Sequence, residues 1–257
     1  MELRAIKKLD QHFLKNRKFV ELELEAADIK KTETVLEIGP GPGVITEELV
    51  TRAKKVVAIE YDRRFAEHIR ENYPKVELIC GDAVKVDFPD FDKCVSNLPY
   101  SISSPIIIKL GKLGKFAVLM LQKEFAERLI AKPGERNYSR LSLMANYFFV
   151  PEYIKTVPKE AFRPKPKIES AIVRLTPKMD KPKPKDEEMF FKVAEALFCH
   201  KNQKAKKAFI NSRHFFKLDK EKAKELAVEM PNAEKKVKDL TLEDVVEIGD
   251  WMFKEKS

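Results

Sequence analysis

Along the chain, apolar and polar positions alternate between two spacings. From residue 34 onward, short apolar runs of strand type are each followed by a segment with apolar residues at helical spacing. The run 34–38 leads into a predicted helix over 44–53, and 55–60 into a helix over 63–72. Runs at 76–80, 93–96 and 116–121 follow, the last entering a helix at Gln122-Lys123-Glu124. Upstream, 17–30 reads as a helix, with Phe19, Val20, Leu22, Leu24 and Ile29 set among acidic residues. This alternation predicts an open parallel sheet with helices on both faces. Two more strands are expected within 151–176, and 171–175 is placed to pair antiparallel with 152–157. Beyond Pro177 the spacing is helical only: 187–199, 202–211, 219–229 and 242–253, with Thr241 and Asp244 set as a capping box. The Pro- and Lys-rich stretch 177–185 is the natural linker. The expected organisation is an α/β domain over 1–177 and a helical domain over 178–257.

Composition narrows the field. The 257 residues are 44% apolar, enough for a full core, and carry a formal charge of +9 with pI near 9.2, which suits a polyanionic partner. A charged share of 35% with only 8 Gly points to a heat-adapted source. Cys80, Cys94 and Cys199 have neither a disulfide framework nor zinc spacing, which fits a reducing cytoplasm. The first residues are charged, without the apolar stretch of a signal peptide. No run reaches the roughly 18–20 apolar residues of a membrane span.

The candidate chemistry lies where strands end. Glu37-Ile38-Gly39-Pro40-Gly41-Pro42-Gly43 turns a strand through three glycines into a helix N-terminus, the form of a concave ligand site. Turns of this kind also close αβ units that bind nothing. The G-x-G-x-G spacing departs from the dinucleotide fingerprint, and Glu37 would sit badly beside a pyrophosphate. A carboxylate there suits a cationic or amine-bearing cofactor, which points to S-adenosylmethionine. Glu60 follows Gly39 by roughly 20 residues, where an acid accepts from ribose hydroxyls. Asp82, after Gly81, is placed to accept from an adenine amine, or simply to cap the next turn. Ligands of open α/β sheets bind outside the C-terminal strand ends, so these positions converge on one site.

Asn97-Leu98-Pro99-Tyr100 follows the fourth strand and carries the expected reaction. Adenine N6 is a poor nucleophile because its lone pair is delocalised into the ring. The Asn97 side-chain carbonyl and the Leu98 backbone carbonyl can accept both N6 hydrogens, freeing the lone pair for a methyl group. Pro99 biases Leu98 to an extended backbone that aims its carbonyl outward. Tyr100 offers a ring for the base to stack on. Phe162 is a candidate second aromatic opposite Tyr100, with a place in the core as the competing reading. In the helical region no acid occurs between Glu195 and Asp219, while Lys201, Lys204, Lys206, Lys207, Arg213 and Lys217 are basic. Interleaved with Phe209, His214 and Phe215, this run is either a solvated face or an RNA-backbone surface.

Together these segments resemble the rRNA adenine N6-dimethyltransferases of the KsgA/RsmA family, in a pattern closer to archaeal members. The resemblance runs through Gln11-His12-Phe13-Leu14, the Glu37–Gly43 turn, Glu60, Gly81-Asp82-Ala83, Asn97–Tyr100 and Gln122–Glu124. It continues through residues 138–142, 157–162, Pro164, Pro166, Lys167, Ser170 and Ala171. It implies a class I, Rossmann-like methyltransferase fold with a seven-stranded sheet and a small C-terminal helical domain. It implies dimethylation of two adjacent adenosines in the 3′-terminal hairpin loop of small-subunit rRNA, within the assembling 30S particle, by a cytoplasmic enzyme expected to be monomeric. By position it places His12 and Leu14 on the cofactor beside the Gly39 and Gly41 turn, Glu60 on its ribose, Asp82 on its adenine and Asn97 beside the transferable methyl. No metal is implied. Asn is common in the family where this chain has His12, so a backbone contact is expected there. The Erm methyltransferases of large-subunit rRNA share nearly the same motifs. A non-catalytic RNA-binding assembly factor is the reading from another class, and intact Glu60, Asp82 and Asn97–Tyr100 argue against it. DNA adenine and protein glutamine methyltransferases use an Asn-Pro-Pro-Tyr type signature, which Leu98 breaks.

Overall fold

The computed structural model describes residues 11–255; the start of the basic lead-in lies outside them. The chain divides into two compact units. One runs to Glu127 and resumes over Phe148–Pro177; the other joins Arg128–Tyr147 to the segment from Lys178 onward.

The first unit is built on a seven-stranded sheet. Its strands are β1 (Thr34–Ile38), β2 (Lys55–Glu60), β3 (Glu77–Cys80), β4 (Lys93–Asn97), β5 (Phe116–Gln122), β6 (Phe149–Val157) and β7 (Ser170–Pro177). The spatial order is β3-β2-β1-β4-β5-β7-β6; all neighbours are parallel except β7, which is antiparallel to both β5 and β6. The fold is thus a class I, Rossmann-like methyltransferase sheet. The expected antiparallel hairpin is present, with Tyr153 opposite Val173 and Val157 opposite Ser170. Val35, Leu36, Val57, Val95 and Val118 are fully buried, as expected of central strands covered on both faces. The order reverses between β1 and β4, so a crevice opens at their C-terminal ends.

Helices α1 (Arg17–Ala27), α2 (Thr46–Arg52), α3 (Arg63–Asn72) and α4 (Ser103–Lys112) flank this sheet, and α5 (Lys123–Ile130) leaves β5. Asn16 and Asp62 cap α1 and α3 by accepting from the backbone N–H groups of Lys18 and Arg64. A two-stranded pairing lies outside the sheet: Phe13 opposite Arg163 and Leu14 opposite Phe162. It ties the segment before α1 to the β6–β7 connection.

The second unit comprises most of α6 (Arg140–Phe148) with α7 (Glu187–Phe198), α8 (Ala205–Asn211), α9 (Lys220–Glu229) and α10 (Leu242–Lys254). The expected capping box at Thr241 and Asp244 is formed. The last crossing between the units falls between Pro177 and Lys178, and residues 128–147 belong with the helices rather than with the α/β unit. The buried Tyr138 hydroxyl donates to the Leu240 carbonyl at 3.0 Å, Gly134 N–H donates to Lys238 O at 2.8 Å, and Tyr147 donates to Glu187 at 2.8 Å. Each is a long-range polar anchor.

Candidate active site

The Glu37–Gly43 turn is shaped by backbone geometry that only glycine adopts at no cost. Gly41 and Gly43 have φ of +52° and +86°. A Cβ on Gly41 would stand 3.0 Å from the Phe13 ring, and one on Gly43 would stand 2.5 Å from the Tyr73 ring. Below this turn, at the sheet's switch point, is a cavity of about 270 Å³. The turn, the ends of β2 and β4, the loop after β3 and residues 11–14 wall it.

Nearly every residue singled out in the sequence reaches that cavity: His12, Leu14, Gly39, Gly41, Glu60, Asp82, Asn97, Leu98, Pro99 and Tyr100 all line it. Phe162 does not. Opposite Leu14 in the two-residue pairing, it is 2% exposed and belongs to the core cluster that includes Phe19, Ala161 and Ile172. The competing reading of Phe162 as a core residue is the one the structure supports.

Glu60 sits at the end of β2 with both oxygens engaged. Oε2 accepts from Gly41 N–H at 3.1 Å and Oε1 from Asp62 N–H at 2.8 Å. Burial pushes its carboxyl up from the ordinary range, and the backbone donors pull it back. A carboxylate has about four lone-pair sites, so it braces the glycine turn and still has capacity for a ligand hydroxyl. Glu37 is 2% exposed; Thr46 donates to its Oε2 at 2.6 Å, and burial pushes its carboxyl up to about 8. Asp82 accepts from Val84 N–H at 2.9 Å, the turn-capping bond weighed in the sequence. That bond takes one oxygen, and the residue still lines the cavity.

Asn97 Nδ2 donates to the His12 carbonyl at 3.4 Å. With the amide nitrogen turned toward His12, Oδ1 is the end of the side chain available to accept from an amine. His12 thus meets the site both through its backbone carbonyl, on Asn97, and through its ring, which lies over Tyr100. Pro99 packs against Gly39, and its carbonyl accepts from Ile102 N–H. The Asn97–Tyr100 loop is therefore seated on the glycine turn itself.

Several contributors were given no role in the chemistry by the sequence. Gln11 donates to Asp62 at 3.0 Å and Phe13 meets Phe65 edge-on, holding residues 11–14 across the cavity. Tyr61 lines the cavity with 65% of its surface exposed, an open ring beside Glu60. Lys109 on α4 staples the loop that carries Asp82. Its ammonium donates to the carbonyls of Ala83 and Val86 and lies 4.0 Å from the Phe88 ring centroid. A Lys109→Met variant keeps the apolar stem but loses the staple. It is expected to weaken cofactor binding about five- to tenfold with little change in transfer rate at saturation. Equilibrium titration beside single-turnover kinetics would check this.

The donor set fits S-adenosylmethionine. The floor is acidic, with Glu37 and Glu60 buried, and no ion pair to either is present among the described residues. A sulfonium and an ammonium would supply the missing positive charge. The described residues hold no cluster of His, Cys, Asp and Glu able to bind a metal ion.

Residues 3–252 match the family model described as ribosomal RNA adenine dimethylase. A Thermococcus sibiricus protein named probable ribosomal RNA small subunit methyltransferase A is 44% identical over 255 residues, covering 96% of this chain and 92% of its own length. A Thermococcus gammatolerans protein of the same name is 46% identical over 253 residues, covering 97% and 90%. Among solved structures, a dimethyladenosine transferase from Plasmodium falciparum superposes with a TM-score of 0.78 at 33% identity, over 92% of this chain and 95% of that one. The 23S rRNA methyltransferase ErmE gives 0.67 at 26% identity, over 94% and 99%. The chain belongs to the ribosomal RNA adenine dimethylases, S-adenosylmethionine-dependent enzymes that methylate adenine in rRNA.

Proposed function

We propose that this enzyme transfers methyl groups to N6 of two adjacent adenosines in the 3′-terminal hairpin loop of 16S-type rRNA. It acts on the 30S particle during small-subunit biogenesis, as a cytoplasmic monomer. The observation that carries this reading is the convergence of Glu60, Asp82 and Asn97–Tyr100 on one cavity beneath the glycine turn. The name carried by its archaeal relatives favours the small subunit over the large-subunit substrate of ErmE.

Bound S-adenosylmethionine supplies an electrophilic methyl group. Glu60 would hold the ribose hydroxyls, Asp82 would accept from the cofactor's adenine amine, and residues 12–14 would wall the cofactor's site. Asn97 Oδ1 and the Leu98 carbonyl accept the two hydrogens of the acceptor N6. With both hydrogens held, the nitrogen could pyramidalise and its lone pair would be free to take the methyl group. Tyr100 stacks on the acceptor base. The new N6–CH3 bond would form as the sulfonium's S–CH3 bond breaks, leaving a neutral thioether; the amine becomes acidic as that bond forms, so its proton passes to water without a strong base.

The helical unit binds RNA through its basic run, although less of that run is available than its composition suggests. Phe209 is 1% exposed and packs on Phe216 and Trp251, so it stacks on no base. Lys201 donates to the carbonyls of Arg136 and Tyr138. Lys204 and Lys206 both pair with Glu234, and these two cations hold its carboxyl down at about 2. A Glu234→Gln variant releases both lysines. It is expected to bind small subunits more tightly at low salt and to steepen the salt dependence by a slope of about two. Filter binding across a salt series would measure both.

The substrate class is tested by offering labelled cofactor with undermethylated small subunits, large subunits and the naked rRNAs in parallel. Label in the small subunit alone supports the proposal. Label in large-subunit RNA would transfer the chain to the Erm type of substrate.

A further inference from the structure

The Tyr100 ring is anchored by a residue outside the Asn97–Tyr100 motif. Tyr100 opens one turn of 3₁₀ helix, Tyr100–Ile102, directly after Pro99. Its hydroxyl lies 2.7 Å from Ser170 Oγ. Ser170 is fully buried and is the first residue of β7, in register with Gln122 of β5 on one side and Val157 of β6 on the other. Two neighbouring strands therefore hold its backbone, and its burial confines the hydroxyl. On the ring's face, His12 lies with its centroid 6.2 Å away and its plane tilted by 27°. The His12 ring is itself held by Nδ1, 2.9 Å from the Pro164 carbonyl. A carbonyl only accepts, so Nδ1 is the donor of that pair.

The hydroxyl is thus committed to the sheet, and what Tyr100 presents to the cavity is a ring plane of set orientation. A tyrosine tied only at its Cα samples several rotamers. One tied at its far end does not, and small displacements of an acceptor base relative to a methyl group are costly in rate.

We propose that Ser170 is a positioning residue for methyl transfer, locking the plane of Tyr100 against which the acceptor adenine stacks. This rests on Tyr100 being the stacking face, so the experiment separates the two claims. Ser170→Ala, Tyr100→Phe, the double variant and Tyr100→Ala are prepared as full-length proteins. For each, kcat and KM for undermethylated small subunits are measured beside cofactor affinity and melting temperature.

Ser170→Ala and Tyr100→Phe are each expected to lower kcat/KM about three- to tenfold, the effect of one lost hydrogen bond. Cofactor affinity should stay within twofold and the melting temperature near wild type. The double variant should be no worse than either single one, because both remove the same bond. Tyr100→Ala should fall further than any of them. Ser170→Ala at the wild-type rate with Tyr100→Ala impaired would overturn the tether and leave the stacking face standing. Tyr100→Ala at the wild-type rate would overturn both. Losses that add in the double variant, or that track a lower melting temperature, would make Ser170 a structural residue and overturn the proposal.

Discussion

Replacing Asn97 with alanine is expected to cut methyl transfer by about a thousandfold while leaving cofactor affinity within a few-fold of wild type. The two effects separate because Asn97 faces both ways. Its Nδ2 meets the His12 carbonyl at 3.4 Å, a long hydrogen bond whose loss perturbs residues 11–14 only slightly. Those residues are held independently by Gln11 on Asp62, Phe13 on Phe65 and the pairing of Leu14 with Phe162. Its Oδ1 is the acceptor assigned to the amine, and that interaction gains strength only as N6 takes on positive charge. An interaction made in the transition state and not in the ground state appears in kcat rather than in binding. Single-turnover transfer beside equilibrium titration resolves the two. An Asn97→Ala enzyme with full turnover would remove the amine-activation mechanism.

The second large effect is in pH. Burial pushes the Glu37 carboxyl up to about 8, so in the free enzyme it is mostly protonated at neutral pH. A cationic cofactor selects the ionised form. Affinity is therefore expected to rise with pH, by up to about tenfold per unit, and to level off above 8. The groups coupled to Glu37 are Glu60 from β2, Glu23 from α1, Cys94 from β4 and Tyr73 after α3. None is a cation, so the cofactor is the natural partner for the charge. Folding stability runs the other way. The folded pKa of Glu37 lies above its unfolded value, so its contribution is complete below the unfolded value and is lost as pH rises through 8. Glu23 has the same sign: its carboxyl is fully buried, both oxygens lack hydrogen-bond partners among the described residues, and burial raises it well above the ordinary range. Glu37→Gln should flatten the pH dependence of cofactor binding and weaken it about tenfold or more at pH 9. It should also remove Glu37's part in the loss of stability at that pH. Titration calorimetry and thermal melts across pH 6–9 check both; wild-type affinity of Glu37→Gln at pH 9 would contradict the assignment.

Much of the fold was legible because its central strands are buried runs, and those at 34–38, 55–60 and 116–122 are each followed by a helix. Helix 63–72 and the antiparallel pairing of 171–175 with 152–157 fall where the pattern puts them. The strand-end site was legible for the same reason: once the strand ends were set, Gly39, Glu60, Asp82 and Asn97 had to meet. The misreadings share a different cause, contacts between residues far apart in sequence. Phe162 looked like a binding aromatic, but its place depends on Leu14, which pairs with it through strands of two residues, too short to show any period. Residues 128–147 were assigned with the α/β domain because the acceptor for Tyr138, Leu240, lies about a hundred residues further along the chain. Phe209 is different, since its signal was present. Ala205, Ala208 and Phe209 recur at helical spacing and mark a buried stripe, which the surrounding lysines obscured. Ser170 and Lys109 act through side-chain hydrogen bonds that no spacing rule encodes.

The most direct measurement is to methylate undermethylated small subunits with labelled S-adenosylmethionine, digest the rRNA, and identify and map the modified nucleosides by mass. N6,N6-dimethyladenosine is expected at two adjacent positions near the 3′ end, and none with the Asn97→Ala enzyme. No transfer despite tight cofactor and particle binding, or methylation at any atom other than adenine N6, would contradict that expectation.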